Sequence, residues 1–296
     1  MEVQVRQLVK KYGKKVVLNN ISLTISEPGV YLIAGPNGSG KTTLLEIMVG
    51  LRKMDRGEVR INRVKNTDAV MRKTVGFLTQ QNTLRRNCTV KEEIQLVKEL
   101  FGLKADPYDY LKKYGLQEYY LQKTKHLSGG TQRRLLLAMV FLPRFPIIVL
   151  DEPVSGLDTF NRDEIWNMIR EYAEDRIVIV SDHYLNQAAQ YSDYVFLLNK
   201  GTIILEGKTE EILNQFPYKY VMKTRKKLDE EWFQSLQEKG IPFELKVSGS
   251  VYNCFLKNHD RLKEILDPVK LRMYPVDLED IYFYYTGEFM KEVEDV

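Results

Sequence analysis

Val30-Tyr-Leu-Ile-Ala-Gly-Pro-Asn-Gly-Ser-Gly-Lys-Thr-Thr43 decides how this chain is read. The first five residues are apolar and short enough for a buried strand, and from Thr42 to Val49 the pattern turns helical. Between them, Gly35, Pro36, Asn37, Gly38, Ser39, Gly40, Lys41 and Thr42 fit the pattern G-x-x-x-x-G-K-[ST]. Glycines at these places let backbone N–H groups turn inward around phosphate oxygens, and the following helix start adds partial positive charge. Lys41 is expected to reach the β- and γ-phosphates, the Thr42 hydroxyl to bind Mg²⁺, and Thr43 to complete the phosphate-binding run. The loop itself is expected to be exposed.

Further along the chain, Ile147-Ile-Val-Leu-Asp151-Glu152 supplies a second half to the site. An apolar strand of this kind is buried on both faces in a parallel sheet. It delivers Asp151 to its C-terminal end, where the carboxylate can hold a Mg²⁺ shell. Glu152, next in line, is placed to polarise an attacking water. Phosphoryl transfer needs this pairing of charge neutralisation with one group that orients the nucleophile.

Leu127-Ser128-Gly129-Gly130-Thr131-Gln132-Arg133 then resembles the LSGGQ signature loop of the ATP-binding cassette (ABC) family, with Thr131 where that loop has Gln. Ser128, Gly129 and Gly130 stand at the start of a helix, again suited to a phosphate. The resemblance implies further roles for residues in the same order. Tyr12 matches the aromatic that stacks on adenine. Gln80 resembles the family's glutamine that contacts Mg²⁺ and faces a transmembrane partner; Gln81 is adjacent and could hold that register instead. Ser155-Gly156-Leu157-Asp158 is similar to the loop that crosses between subunits. His183 resembles the switch histidine of the γ-phosphate. His126 and His259 match nothing and read as surface residues. The family implies a head-to-tail dimer, of identical or different motors, with ATP between one subunit's phosphate loop and the other's Ser128.

The fold class expected is α/β: a phosphate-loop NTPase core with an antiparallel β subdomain and a helical subdomain at about 85–130, all within residues 1–215. Strands are expected at 2–9, 15–25, 57–62, 73–79, 147–150 and 177–180, with a hairpin over 194–205. Helical pattern covers 89–125, 133–142 and 162–173. Residues 216–296 read as a small α+β domain: strand 218–224, helix 229–239, strands 242–248 and 251–257, helix 259–266, strand 269–274. That order is ferredoxin-like. A last helix opens at Asp277 and closes near Gly287.

Composition excludes several classes. An apolar fraction of 44% with 28% charged residues argues against wholesale disorder. Two cysteines outside any CxxC pair and three scattered histidines argue against a disulfide framework or a zinc site. Net charge is +4, and residues 216–296 carry 13 basic against 15 acidic residues, so no nucleic-acid patch is expected. No stretch approaches the roughly 18 apolar residues of a membrane span, and the charged N-terminus has no signal-peptide core.

The resemblance to the family's transporters implies a separate transmembrane permease subunit, with this chain peripheral on the inner, cytoplasmic face of the membrane. Pro275-Val-Asp-Leu-Glu-Asp-Ile-Tyr-Phe-Tyr-Tyr-Thr-Gly287 resembles the ending of a transporter branch whose motor is a separate chain and whose members export drugs or polysaccharides. The other reading is a soluble cassette ATPase acting on ribosomes or nucleic acid. A single set of motifs and the charge balance weigh against it.

Overall fold

The structure, a computed structural model, describes residues 1–66, 73–225, 230–238, 240–257 and 273–290. It divides into two compact units, Met1–Ile203 and Ile204–Val296.

In the first unit, β1 (Val3–Tyr12) and β2 (Lys15–Ile25) form an antiparallel pair, extended by β4 (Arg56–Ile61) and the short β5 (Val64–Lys65) in the order β2-β1-β4-β5. Each long strand alternates buried and exposed residues, as a sheet with one wet face requires. The second sheet is built around β3 (Gly29–Ala34), β7 (Ile147–Asp151) and β8 (Ile177–Asp182), every residue of which is buried. With β6 (Val75–Leu78) and β9 (Tyr194–Asn199) it runs β9-β3-β8-β7-β6, all parallel. β9 turns at Lys200 and Gly201 into β10 (Thr202–Gly207).

The register of this sheet builds the site. Ala34 pairs with Asp182, and Asp151 pairs with Ser181. The loops leaving β3, β7 and β8 therefore emerge together at the C-terminal edge, where open α/β sheets bind ligands. β6 ends beside Leu150, which brings Gln80 to the same edge. Leu32, Ile148, Val178 and Val180 are inaccessible to solvent. Each such side chain contributes about 1.5–3 kcal/mol before chain entropy is subtracted, which keeps the edge rigid.

Four helices of the first unit start where a side chain satisfies one of their free N–H groups. After α1 (Lys41–Met48), which follows the phosphate loop, Thr89 caps α2 (Val90–Leu100) in a reciprocal box with Glu92, and Asp106 caps α3 (Pro107–Lys112). The 89–125 region is thus not one helix. Gly102 takes a positive φ of 62° and Pro107 restarts the chain, so two helices and two 3₁₀ turns (Gln117–Tyr119 and Thr124–His126) share it. Ser128 caps α4 (Gly129–Phe141) and Asp158 caps α5 (Thr159–Ala173). Strand β5, α6 (Leu185–Gln190) and, in the second unit, α7 (Thr209–Gln215) are short elements without a distinct sequence pattern.

Within the second unit, β11 (Tyr220–Thr224), β12 (Phe243–Ser248), β13 (Val251–Leu256) and β14 (Met273–Pro275) form an antiparallel sheet ordered β12-β13-β11-β14. This is the strand order of a ferredoxin-like module. Helix α8 (Glu230–Glu238) lies between β11 and β12 in sequence, and α9 (Leu278–Thr286) opens with an Asp277–Asp280 capping box. The helix expected at 259–266, and residues 269–272 of the strand expected at 269–274, lie outside the described residues.

Candidate functional site

The phosphate loop and its neighbours enclose a pocket of about 590 Å³. Asn37, Gly38, Gly40, Lys41, Thr42 and Thr43 line its base, with Gln80, Glu152, Ser155 and His183 on one side and Tyr12, Lys15 and Val17 on another. The loop's shape depends on glycine. Gly40 has φ +109°, and a Cβ there would meet Leu18 at 2.7 Å and the Val17 carbonyl at 3.0 Å. A Cβ on Gly35 would lie 2.2 Å from the Leu198 carbonyl.

Lys41 is held inside this loop. Its Nζ donates to the Gly35 carbonyl at 2.8 Å and the Pro36 carbonyl at 3.3 Å, and stands 3.8 Å from Glu152 Oε1. The tip of the loop, Asn37 and Gly38, is exposed as expected, whereas Lys41 is only 5% exposed. Burial pushes its ammonium pKa down, and Glu152, Asp151 and Asp182 resist that shift. Ser39 Oγ, also buried, has no hydrogen-bond partner. Such an orphan in a loop lined with N–H groups fits an anionic ligand whose oxygens complete it.

Glu152 is the focus of the opposite wall. His183 Nδ1 lies 3.6 Å from its Oε1, and Gln80 Nε2 donates to its Oε2 at 3.1 Å. The imidazole has the largest effect, holding the Glu152 carboxyl below the usual glutamate range. Burial opposes it and Lys41 reinforces it. The Glu152 backbone is strained, with φ +48° on a non-glycine residue, a cost of about 1–3 kcal/mol that surrounding contacts must offset. Those contacts are present: its N–H donates to Ser181 Oγ (3.0 Å) and to the Ser181 carbonyl (3.2 Å). Ser181 Oγ in turn donates to Asp151 Oδ1 at 2.5 Å. Asp182 accepts the N–H groups of His183 (2.6 Å) and Tyr184 (2.9 Å), which fixes the turn carrying the histidine. Burial raises the Asp182 pKa.

Most of the residues singled out from the sequence meet here. Gln80, rather than Gln81, lines the pocket. Tyr12 sits at its mouth, 41% exposed, with Lys10 Nζ and Arg52 Cζ each 5.4 Å from its ring centre. Asp151 and Ser39 stand buried behind the lining, and Gly35 and Pro36 supply the carbonyls that hold Lys41. Ser128, Gly129, Gly130 and Asp158 do not line this pocket. Asp158 caps α5 through the Asn161 N–H at 3.0 Å, and Ser128 caps α4 through the Thr131 N–H at 3.2 Å. His126 is exposed and apart from the site.

Lys15, Val17 and Ser181 were not anticipated. The first two belong to a strand whose only sequence signal is alternation, and Ser181 joins the site through sheet register. For Mg²⁺ the available donors are hard oxygens on Thr42, Gln80 and Asp151. Among the described residues no cluster of three or more His, Cys, Asp or Glu could hold a metal by itself. That donor set fits an ion held largely by phosphate and water.

Comparison with known proteins agrees with this geometry. The ABC transporter family model matches residues 18–155. The petrobactin import ATP-binding protein YclP of Bacillus subtilis is 34% identical over 226 residues, spanning 71% of this chain and 88% of that protein. The Nod factor export ATP-binding protein I of Bradyrhizobium diazoefficiens is 27% identical over 297 residues, 96% of this chain and 95% of that protein. A dimeric ATP-binding cassette solved in a post-hydrolysis state with ADP and Pi superposes with a TM-score of 0.60 at 28% identity, covering 70% of this chain and 98% of that one. A complete phosphate loop facing Glu152 and His183, on this fold and with these relatives, makes the chain an ATP-binding and ATP-hydrolysing member of the ABC transporter family.

Proposed function

We propose that this chain is one of a pair of motors that drive export through a separate transmembrane subunit. The observation that carries the reading is the end-to-end match to a Nod factor export protein, which extends through the second unit as well as the motor. Among the described residues no helix is long and apolar enough to cross a membrane. In this reading the motor docks on the transmembrane subunit from the membrane's inner face. Residues 1–215 form the motor in this proposal and residues 216–296 an accessory domain.

The roles follow from chemistry. The phosphate loop and Lys41 bind and neutralise the β- and γ-phosphates, and Tyr12 stacks on adenine. Mg²⁺, when bound, would be held by Thr42, Gln80 and Asp151, partly through water, and would supply further charge neutralisation. Glu152 orients and deprotonates the attacking water. Its low pKa keeps it ionised for that task, and His183 steadies it and the γ-phosphate.

Ser128, Gly129, Gly130 and Asp158 lie away from this chain's own pocket, which supports their serving the ATP of a partner subunit in a head-to-tail dimer. ATP binding then favours the closed pair, and hydrolysis reopens it. Beside Gln80, an apolar groove of about 500 Å³ lined by Phe77, Leu100, Phe101 and Met139 is suited to the transmembrane subunit, to which it would pass the motion.

Co-purification tests the reading. The tagged chain, recovered from gently solubilised membranes of its source cells, is expected to bring a polytopic membrane protein in stoichiometric amount. Recovery with ribosomes or DNA alone would overturn it.

A further inference from the structure

Arg133 lies one turn into α4, on the helix that begins with the signature loop, yet its guanidinium reaches the other half of the chemistry. Nη2 donates to the Glu152 carbonyl at 2.8 Å and Nε to the Pro153 carbonyl at 2.5 Å. Both carbonyl-bearing residues are buried, so water is a poor substitute for these donors. Burial lowers the pKa of the guanidinium, while Asp151 and Glu152 help keep it charged.

The contact falls where the backbone most needs support. Glu152 has a left-handed φ, and its N–H is already anchored on Ser181. Arg133 anchors the other end of the same residue. A planar fork donates to two successive carbonyls from two separate nitrogens in fixed directions, a geometry that the single ammonium of a lysine does not reproduce. A second contact lies nearby: Asn161, in the first turn of α5, donates through Nδ2 to Asp158 Oδ2 at 2.6 Å and packs so closely on Gly130 that a Cβ there would lie 2.1 Å from Asn161 Oδ1. The start of α4 is thus joined to the Glu152–Pro153 segment by Arg133 and packed by Gly130 on the first turn of α5.

We propose that Arg133 is a positioning residue, which fixes the main chain of Glu152 from the signature helix so that the carboxylate keeps its place between Lys41 and His183. The proposal deepens the reading above and rests on the role given there to Glu152. Its consequence is mechanical. The helix whose first residues would grip a partner's ATP also sets the water-activating group of its own subunit, so each site feels the state of the other.

Steady-state ATPase kinetics and nucleotide-binding titrations on the full chain test this with R133A, R133Q and R133K. In R133A the expected result is a kcat lower by about 10- to 100-fold with KM and ATP affinity within about twofold of the parent, because a misplaced base costs rate without costing binding. R133K is expected to fall between the two, and millimolar guanidinium ion should restore part of the R133A rate. A purely packing role would not produce that rescue. If R133A fails to fold, R133Q, which keeps most of the volume, is read by the same criteria.

A kcat within about twofold of the parent overturns the proposal. So does a loss of turnover that follows a loss of ATP affinity and is not rescued by guanidinium. E152Q measured in parallel separates the two levels. Parent-like turnover in E152Q removes the role of Glu152 and this proposal with it. Loss of turnover in E152Q beside parent-like turnover in R133A overturns the proposal alone.

Discussion

Lys41 Nζ and Glu152 Oε1 stand 3.8 Å apart across the nucleotide pocket, with side chains 5% and 11% exposed. The ammonium also spans two loop carbonyls, so it ties the phosphate loop to the end of β7. Lys41→Ala removes the cation that the phosphates need, and it leaves Glu152 facing His183 and Gln80 alone. Because Lys41 is itself unfavourably desolvated, its loss relieves part of the strain that it creates in the pairing. ATP affinity is expected to fall by about 100-fold or more while the nucleotide-free Tm moves by less than about 4 °C. Thermal scans with and without ATP check both halves; an ATP-induced rise in Tm that survives in the variant would count against the assignment.

Glu152→Gln keeps the volume and the Gln80 contact but removes the base. Turnover is expected to drop by about 100-fold or more, with ATP still bound. Since binding favours the closed pair and hydrolysis reopens it, the variant should accumulate as an ATP-bound dimer. Light scattering after size separation with ATP is the measurement. A monomer at saturating ATP would remove the dimer from the mechanism.

Much of this site is legible in the sequence because its parts are local. The all-apolar run of β3 leads into the glycine-rich loop that carries Lys41, and β7 ends directly before Glu152, so both can be named without a structure. Ser181 and Arg133 cannot. Ser181 reaches Glu152 only because β7 and β8 pair Asp151 with Ser181, a register that no local pattern encodes. Arg133 looks like one basic residue on a helix until α4 is seen to cross the Glu152–Pro153 peptide. The 89–125 region was readable as helical but not as broken, since the pause at Gly102 and restart at Pro107 depend on how the segment packs. In the second unit the succession of strands and helices was enough to suggest a ferredoxin-like module, and the pairing β12-β13-β11-β14 has that module's strand order.

The Glu152 carboxyl titrates below the ordinary glutamate value of 4.5 in the folded chain, chiefly through His183. A depressed folded-state pKa means that the unfolded chain binds the proton more readily. The stabilisation is therefore complete above the ordinary value and lost as pH falls through the folded one. The stability advantage of the parent over Glu152→Gln should be largest near neutral pH and shrink as pH drops below 4.5. His183→Ala should narrow the same difference at neutral pH. Urea denaturation of the nucleotide-free chain at pH 7 and about pH 4 measures it; an advantage that grows on acidification would reverse the sign and refute the pairing.

Gly130 and Gly129 are neighbours that differ sharply in what surrounds them. A Cβ on Gly130 would meet Asn161 Oδ1 at 2.1 Å and its Cγ at 2.5 Å, whereas a Cβ on Gly129 meets nothing within 4 Å. Asn161 cannot simply swing away, because its amide is bound to Asp158. Gly130→Ala is therefore expected to cost about 1–3 kcal/mol in unfolding free energy through overpacking, and Gly129→Ala to be neutral or slightly stabilising as a helical Gly-to-Ala change. Truncating the obstacle should repair the fit: in Gly130→Ala with Asn161→Ala, most of the lost stability returns relative to Asn161→Ala alone. A double-mutant cycle by urea denaturation reads the coupling. Simple additivity would mean that the signature helix and the Asp158 loop are not packed as tightly as this contact requires.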